Sequence, residues 1–241
     1  MCHRRVRGGI AAPRALCVSG NQGRPGVSAR ERILARIRAR QGKPAQPDAV
    51  DVEAVRAHLA ARARNPGPRD DERDVLTRFR ERAVSLASTV DEATVAEVPA
   101  RVAEYLQRHA LPSRLVCWSE FAALDWSGAG IHAQARLACA DDMVGLTGAF
   151  CGIAETGTLM TLSGARTPPS VSLLPETHIC LLQRSRIVRC MEDAWTLLRN
   201  ETAALPRAVS FISGPSRTAD IEQTVTLGAH GPYRVHIILT T

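Results

Sequence analysis

The stretch AVSFISGPSRTADIEQTVTLGAHGPYRVHIIL, residues 208–239, decides how the fold is read. Two short apolar runs, Ala208 to Ile212 and Val235 to Leu239, are continuous rather than alternating, as in strands covered on both faces. The segment between them reads as a helix over 218–227. A helix joining two buried strands is a crossover, so the pattern predicts parallel strands with a right-handed connection. Gly214-Pro215 would then turn the chain at the carboxyl end of a strand, where open α/β sheets place ligands. Ser216 or Thr218 would cap the helix, whose free first amides can bind an anion, and Arg217 adds a fork suited to a carboxylate or phosphate. Asp220 and Glu222 fall in the same first turn, where they would repel a phosphate and orient Arg217 or cap free amides. The plainer alternative is a well-capped helix with acids at its positive end. His230, in GAHGP just before the last run, is either a proton carrier brought to a cleft by a glycine loop or a surface residue.

Working outward, HICLLQ (178–183) is another continuously apolar run, and MEDAWTLLRN (191–200) is a helix. RLVCWS (114–119), MVGLT (143–147), FCGIAE (150–155) and TLMTLS (158–163) read as strands, ARLACA (135–140) as a weaker one. Val75, Leu76, Phe79, Ala83, Val84 and Leu86 fall at helical spacing, and a second helix runs over 99–110 with Pro99 at its start. The expected class is α/β: a three-layer, mostly parallel sheet flanked by helices, with an N-terminal helical arm. Residues 1–27 form an expected non-native or disordered extension, since Val27 precedes a capping box, Ser28 to Glu31, and suits a start codon of its own. A genuine Arg-rich extension is the alternative. Residues 28–69 are the arm and linker, with a short helix over 48–63, and 70–241 the α/β domain.

Glu155 ends one apolar run and is followed by Thr156, Gly157 and Thr158. A carboxylate there can act as nucleophile or base, or it can cap the free amides of a turn. The polar loop SGARTPPS, residues 163–170, is suited to a lid, with Arg166 able to deliver a charge.

Charge narrows the partners. Residues 1–40 carry ten Arg and one acid, whereas the remaining 201 residues have a net charge of −2, so the overall +7 makes no case for nucleic acid. No apolar run approaches the ~18 residues a membrane span requires. The seven cysteines include no C-x-x-C pair, so no iron–sulfur, zinc or other metal site is expected in this chain. Their odd number and the lack of a secretory signal favour a reducing cytoplasm. No G-x-G-x-x-G opens a helix, so no nicotinamide or flavin is expected either.

In order along the chain, GIAETGTL (152–159), LLPETHI (173–179), GPSRTADIE (214–222) and GAHGP (228–232) resemble the lactate utilization protein C family, the single-domain members of the LUD group. The resemblance covers residues 28–241. It implies a fold similar to sugar-phosphate isomerases and CoA transferases, and a role in oxidising L-lactate to pyruvate within a bacterial multi-protein system. The implied partners are an iron–sulfur LUD-domain protein and a Cys-rich oxidoreductase, which would hold the clusters this chain lacks. Glu155 and His230 would be catalytic, Ser216, Arg217 and Thr218 would bind a small carboxylate, and Thr156, Gly157, Thr158, Asp220 and Glu222 would support them. Glu155-Thr156-Gly157 is also faintly similar to the turn whose Glu attacks the thioester in CoA transferases. An acyl or CoA transferase, a related ligase, or an assembly subunit without catalysis are the alternatives.

Overall fold

The computed structural model describes residues 28–63, 73–218 and 226–241. The chain divides into two compact units, Met1–Asn65 and Pro66–Thr241. In the first, α1 (Ala29–Arg40) starts from the expected capping box: the Glu31 amide donates to Ser28 Oγ at 3.2 Å and the Ser28 amide donates to Glu31 Oε2 at 2.6 Å. Asp48 caps α2 (Ala49–Ala61) through the Asp51 amide at 2.7 Å. Neither helix buries a residue, and Ile33, Ile37, Val50, Val55 and Leu59 stay exposed.

The second unit opens with α3 (Val75–Ser85), β1 (Thr89–Ala93), α4 (Val98–Arg108), β2 (Arg114–Cys117), β3 (His132–Ala135) and β4 (Val144–Gly148). It continues with β5 (Cys151–Ile153), β6 (Thr158–Leu162), α5 (Ser170–Leu173), β7 (Thr177–Gln183), β8 (Ile187–Val188) and α6 (Met191–Glu201). It closes with β9 (Val209–Ile212), β10 (Arg217–Thr218), β11 (Thr226–Leu227) and β12 (Arg234–Thr240). Six strands form one sheet in the order β1-β12-β7-β4-β2-β3, and every pair in it is parallel. Its central strands alternate their side chains between two cores. Ile179, Leu181 and Ile238 meet Val98, Val102, Tyr105 and Leu106 of α4, whereas Cys180, Leu182, Ile237 and Leu239 meet Phe79 and Ala83 of α3. Covering both faces explains why β7 and β12 read as unbroken apolar runs. The mostly parallel sheet flanked by helices is therefore as expected.

A second sheet, β8-β5-β6-β9, lies on the α3 side, where Ala154 and Leu159 enter the core formed by β7, β12 and α3. Its other face is covered by Ala194 and Leu198 of α6 against Cys151, Ile153 and Met160. Here the reading of residues 208–239 is corrected. β9 is antiparallel to β6 in this small sheet and does not share a sheet with β12. Nor is 218–227 a helix at either end. Arg217 and Thr218 pair antiparallel with Leu227 and Thr226, in a ladder suited to the β-branched Thr218 and Thr226. Residues 219–225, Asp220 and Glu222 among them, lie outside the described residues. The weak strand expected over 135–140 is displaced too: β3 ends at Ala135, and Arg136 turns aside to a two-pronged ion pair with Asp142 at 2.6 and 2.7 Å. Among the described residues no helix is long and apolar enough to cross a membrane.

Candidate functional site

The segments that stand out in the sequence meet around the carboxyl end of α3. That helix ends in paired backbone hydrogen bonds, Ala87 to Val84 at 2.9 Å and Ser88 to Ala83 at 3.0 Å, with Ala87 in the left-handed region at φ +65°. Gly157, in the turn between β5 and β6, has φ +63°, and a Cβ there would lie 2.4 Å from the Ala83 amide nitrogen. Gly214 has φ +82°, and its Cβ would lie 2.3 Å from the Leu86 carbonyl oxygen. Only glycine allows both loops to rest on the helix end at this conformation. A chain of hydroxyls ties them together: Thr156 Oγ1 to Thr158 Oγ1 and Thr158 Oγ1 to Ser213 Oγ, each at 2.7 Å. The Ser216 amide donates to Pro232 O and the Gly228 amide to Ser216 O, both at 2.9 Å, joining GPSRT to GAHGP. LLPETHI arrives through the Arg234 amide, which donates to Glu176 O at 3.0 Å. Leu174, Glu176, Gly228, Gly231, Tyr233 and Arg234 then line a hollow of about 390 Å³.

This cluster lies at the amino ends of the parallel strands, ahead of β1, β7 and β12, and not at their carboxyl ends. The reason is that β9, whose end was read as a ligand-binding strand end, pairs antiparallel with β6 in the second sheet. Among the described residues no helix starts at Ser216, Arg217 or Thr218, since the last two form β10. Arg217 is exposed, and its Nη2 donates to Leu86 O at 3.3 Å. His230 is exposed in its loop. Glu155 is half-buried in the β5–β6 turn, where its amide donates to Arg189 O at 3.0 Å. This is a bond of the backbone and not of the carboxylate, and no hydrogen bond or ion pair joins Glu155 to Arg217 or His230. Glu176 enters the hollow from LLPETHI, whereas Tyr233 and Arg234 border it although none of the four segments contains them. Their signal was position, directly before the buried runs of β7 and β12.

Two histidines, His178 of LLPETHI and His236 outside the four segments, sit inside the large sheet. His178 Nε2 is 2.7 Å from Thr147 Oγ1, and complete burial pushes its pKa down to about 4. His236 stacks on Tyr105 at 4.1 Å with Nδ1 2.8 Å from Thr89 Oγ1, and burial brings its pKa to about 4 against the pull of Asp91. Burial likewise pushes Cys117 and Cys151 up to about 11 and Cys180 to about 12, so none of the three is a thiolate near neutral pH. Among the described residues no group of three His, Cys, Asp or Glu side chains is placed to hold a metal ion.

Comparison with known proteins agrees with this architecture. A solved structure of a DUF162 family protein from Deinococcus radiodurans superimposes with a TM-score of 0.52 at 21% identity, covering 69% of this chain and 96% of that one, which supports the fold. An uncharacterized protein of Neisseria meningitidis serogroup B, NMB1437, is 44% identical over 88 residues, 36% of this chain and 38% of that protein. Lactate utilization protein C 1 of Bacillus mycoides is 38% identical over 99 residues, 40% of this chain and 42% of its own. Lactate utilization protein C of Bacillus subtilis is 38% identical over 101 residues, 41% and 42% of the two chains. Each match thus spans about two fifths of the relative's length. The model of the LUD domain matches residues 76–240, from the first turn of α3 to the end of β12. The chain belongs to the LUD domain family.

Proposed function

We infer that the protein takes part in lactate utilization, as one component of a multi-protein system that oxidises L-lactate to pyruvate. The observation that carries this reading is the gathering of all four segments that resemble lactate utilization protein C along one edge of the domain. Similarity to proteins of that name over two fifths of their length supports it. The exposed Arg217, His230 and Tyr233 present a guanidinium, an imidazole and a phenol at this edge, a surface suited to a partner protein. In this reading the electron pair from lactate leaves through iron–sulfur partners, an iron–sulfur LUD-domain protein and a Cys-rich oxidoreductase.

Growth of a deletion strain on L-lactate tests the proposal. The wild-type gene should restore growth, and Arg217→Ala combined with His230→Ala should not, although the purified double variant melts within a few degrees of wild type. Exposed side chains of this kind contribute little to stability. A deletion strain that grows on L-lactate as well as its parent would remove the reading.

A further inference from the structure

A second hollow, of about 420 Å³, has a lining that belongs to none of the four segments. It lies beside β3, the last strand of the large sheet, and the loop that follows it to Asp142. Arg114 of β2 and His132 of β3 stand opposite each other in the ladder, so their side chains share one face of the sheet. Gln134, two residues along β3, lies on the same face.

Part of this lining is already engaged. Asp142 accepts both arms of Arg136, at 2.6 and 2.7 Å, and the Cys139 amide at 2.8 Å. The anchored guanidinium donates from Nε to Gln134 Oε1 at 2.8 Å. With its oxygen taken, Gln134 turns its amide nitrogen to His132 Nε2 and donates to it at 2.9 Å. His132 Nε2 is then an acceptor, so the neutral ring carries its proton on Nδ1. That N–H makes no hydrogen bond among the described residues and stands as a fixed donor beside Arg114. The side chains of Arg114 and Asp141, which also line the hollow, are exposed and make no hydrogen bond or ion pair among the described residues.

We propose that this hollow binds a free α-amino acid. The ligand carboxylate takes the Arg114 fork and the His132 Nδ1–H, and the ligand ammonium group pairs with Asp141. Charge decides the class. Arg136 and Asp142 neutralise each other, which leaves one cation, Arg114, and one anion, Asp141, at the hollow. A simple carboxylate would leave Asp141 unpaired beside it, and a phosphate would be repelled, whereas a zwitterion matches both groups. The volume falls in the ~300–1,000 Å³ range of small-molecule sites, enough for the amino acid's side chain as well. The site is independent of the lactate reading above.

Ligand-observed NMR titrations of the full chain with L-alanine, L-glutamine and L-phenylalanine test this. Saturable binding of at least one is expected. The N-acetyl derivative of the tightest, which lacks the ammonium charge, and its carboxamide, which lacks the carboxylate, should each bind about tenfold more weakly or worse. Arg114→Gln and Asp141→Asn should each weaken binding by a similar factor while melting within a few degrees of wild type, because both side chains are exposed. Arg101→Gln, a charge removed from the surface of α4, should leave binding within about twofold. Gln134→Leu should weaken binding and free the His132 ring, read by nitrogen NMR as a mixture of tautomers in place of the Nδ1-protonated form. Absence of saturable binding to wild type, or undiminished binding by Arg114→Gln or Asp141→Asn, would overturn the site. An N-acetyl derivative that binds as tightly as its parent would overturn the amino-acid class. An unchanged tautomer in Gln134→Leu would overturn the role of the Arg136–Gln134–His132 chain.

Discussion

At Gly157 and Gly214 a side chain would need both a left-handed backbone and space already filled by α3. Gly157→Ala and Gly214→Ala should therefore each destabilise the fold by more than about 2 kcal/mol, read as a lower urea midpoint at unchanged slope. Ala87 shows the converse. It adopts φ +65° at a helix end that glycine usually occupies, so Ala87→Gly should raise stability by up to about 1 kcal/mol in the same assay. His178 and His236 predict a pH response. Both have folded pKa values near 4, below the unfolded ~6.5, so the unfolded chain binds more protons between those values. Their contribution is complete above pH ~6.5 and is lost as pH falls towards 4, on the order of 3 kcal/mol each. Urea midpoints should decline from pH 7 to 5, and proton NMR should show neither ring titrating above pH 5.

Among elements, α3 and α1 set a contrast between helices of similar length. Phe79 of α3 is fully buried against the large sheet, whereas Ile33 of α1 is 60% exposed. Phe79→Ala should cost about 3–5 kcal/mol, and Ile33→Ala should change the unfolding free energy by less than about 0.5 kcal/mol. A large loss at Ile33 would show that α1 is covered in solution. The β5–β6 hairpin invites a test of Glu155, whose backbone already makes the turn bond to Arg189. Glu155→Gln keeps that bond and should leave the melting temperature within a few degrees. If it also leaves growth on lactate unchanged, Glu155 serves the turn alone.

The whole molecule is organised around one parallel sheet. The amino edge gathers the segments that resemble lactate utilization protein C and leaves Arg217 and His230 exposed. No described cluster is suited to a metal, so purified protein should carry less than a tenth of an equivalent of iron or zinc by elemental analysis after gel filtration. A stoichiometric content would mean that residues outside the described set complete a site.

Much of this was legible in the sequence. The Ser28 capping box, the helices α2, α3, α4 and α6, and the buried strands β7 and β12 follow from caps and periodicity, which act over a few residues. Edge and partner were not legible. Val209 to Ile212 looks like a buried parallel strand because an apolar run carries no record of its neighbour, and only the tertiary structure pairs it with β6. That one pairing removed the crossover and the helix start at Ser216, and moved Arg217 and His230 to the amino edge. The sequence by itself determined the local elements and the kinship of the domain. Which strands pair, and so which end of the sheet each loop reaches, was decided only when the sheets packed.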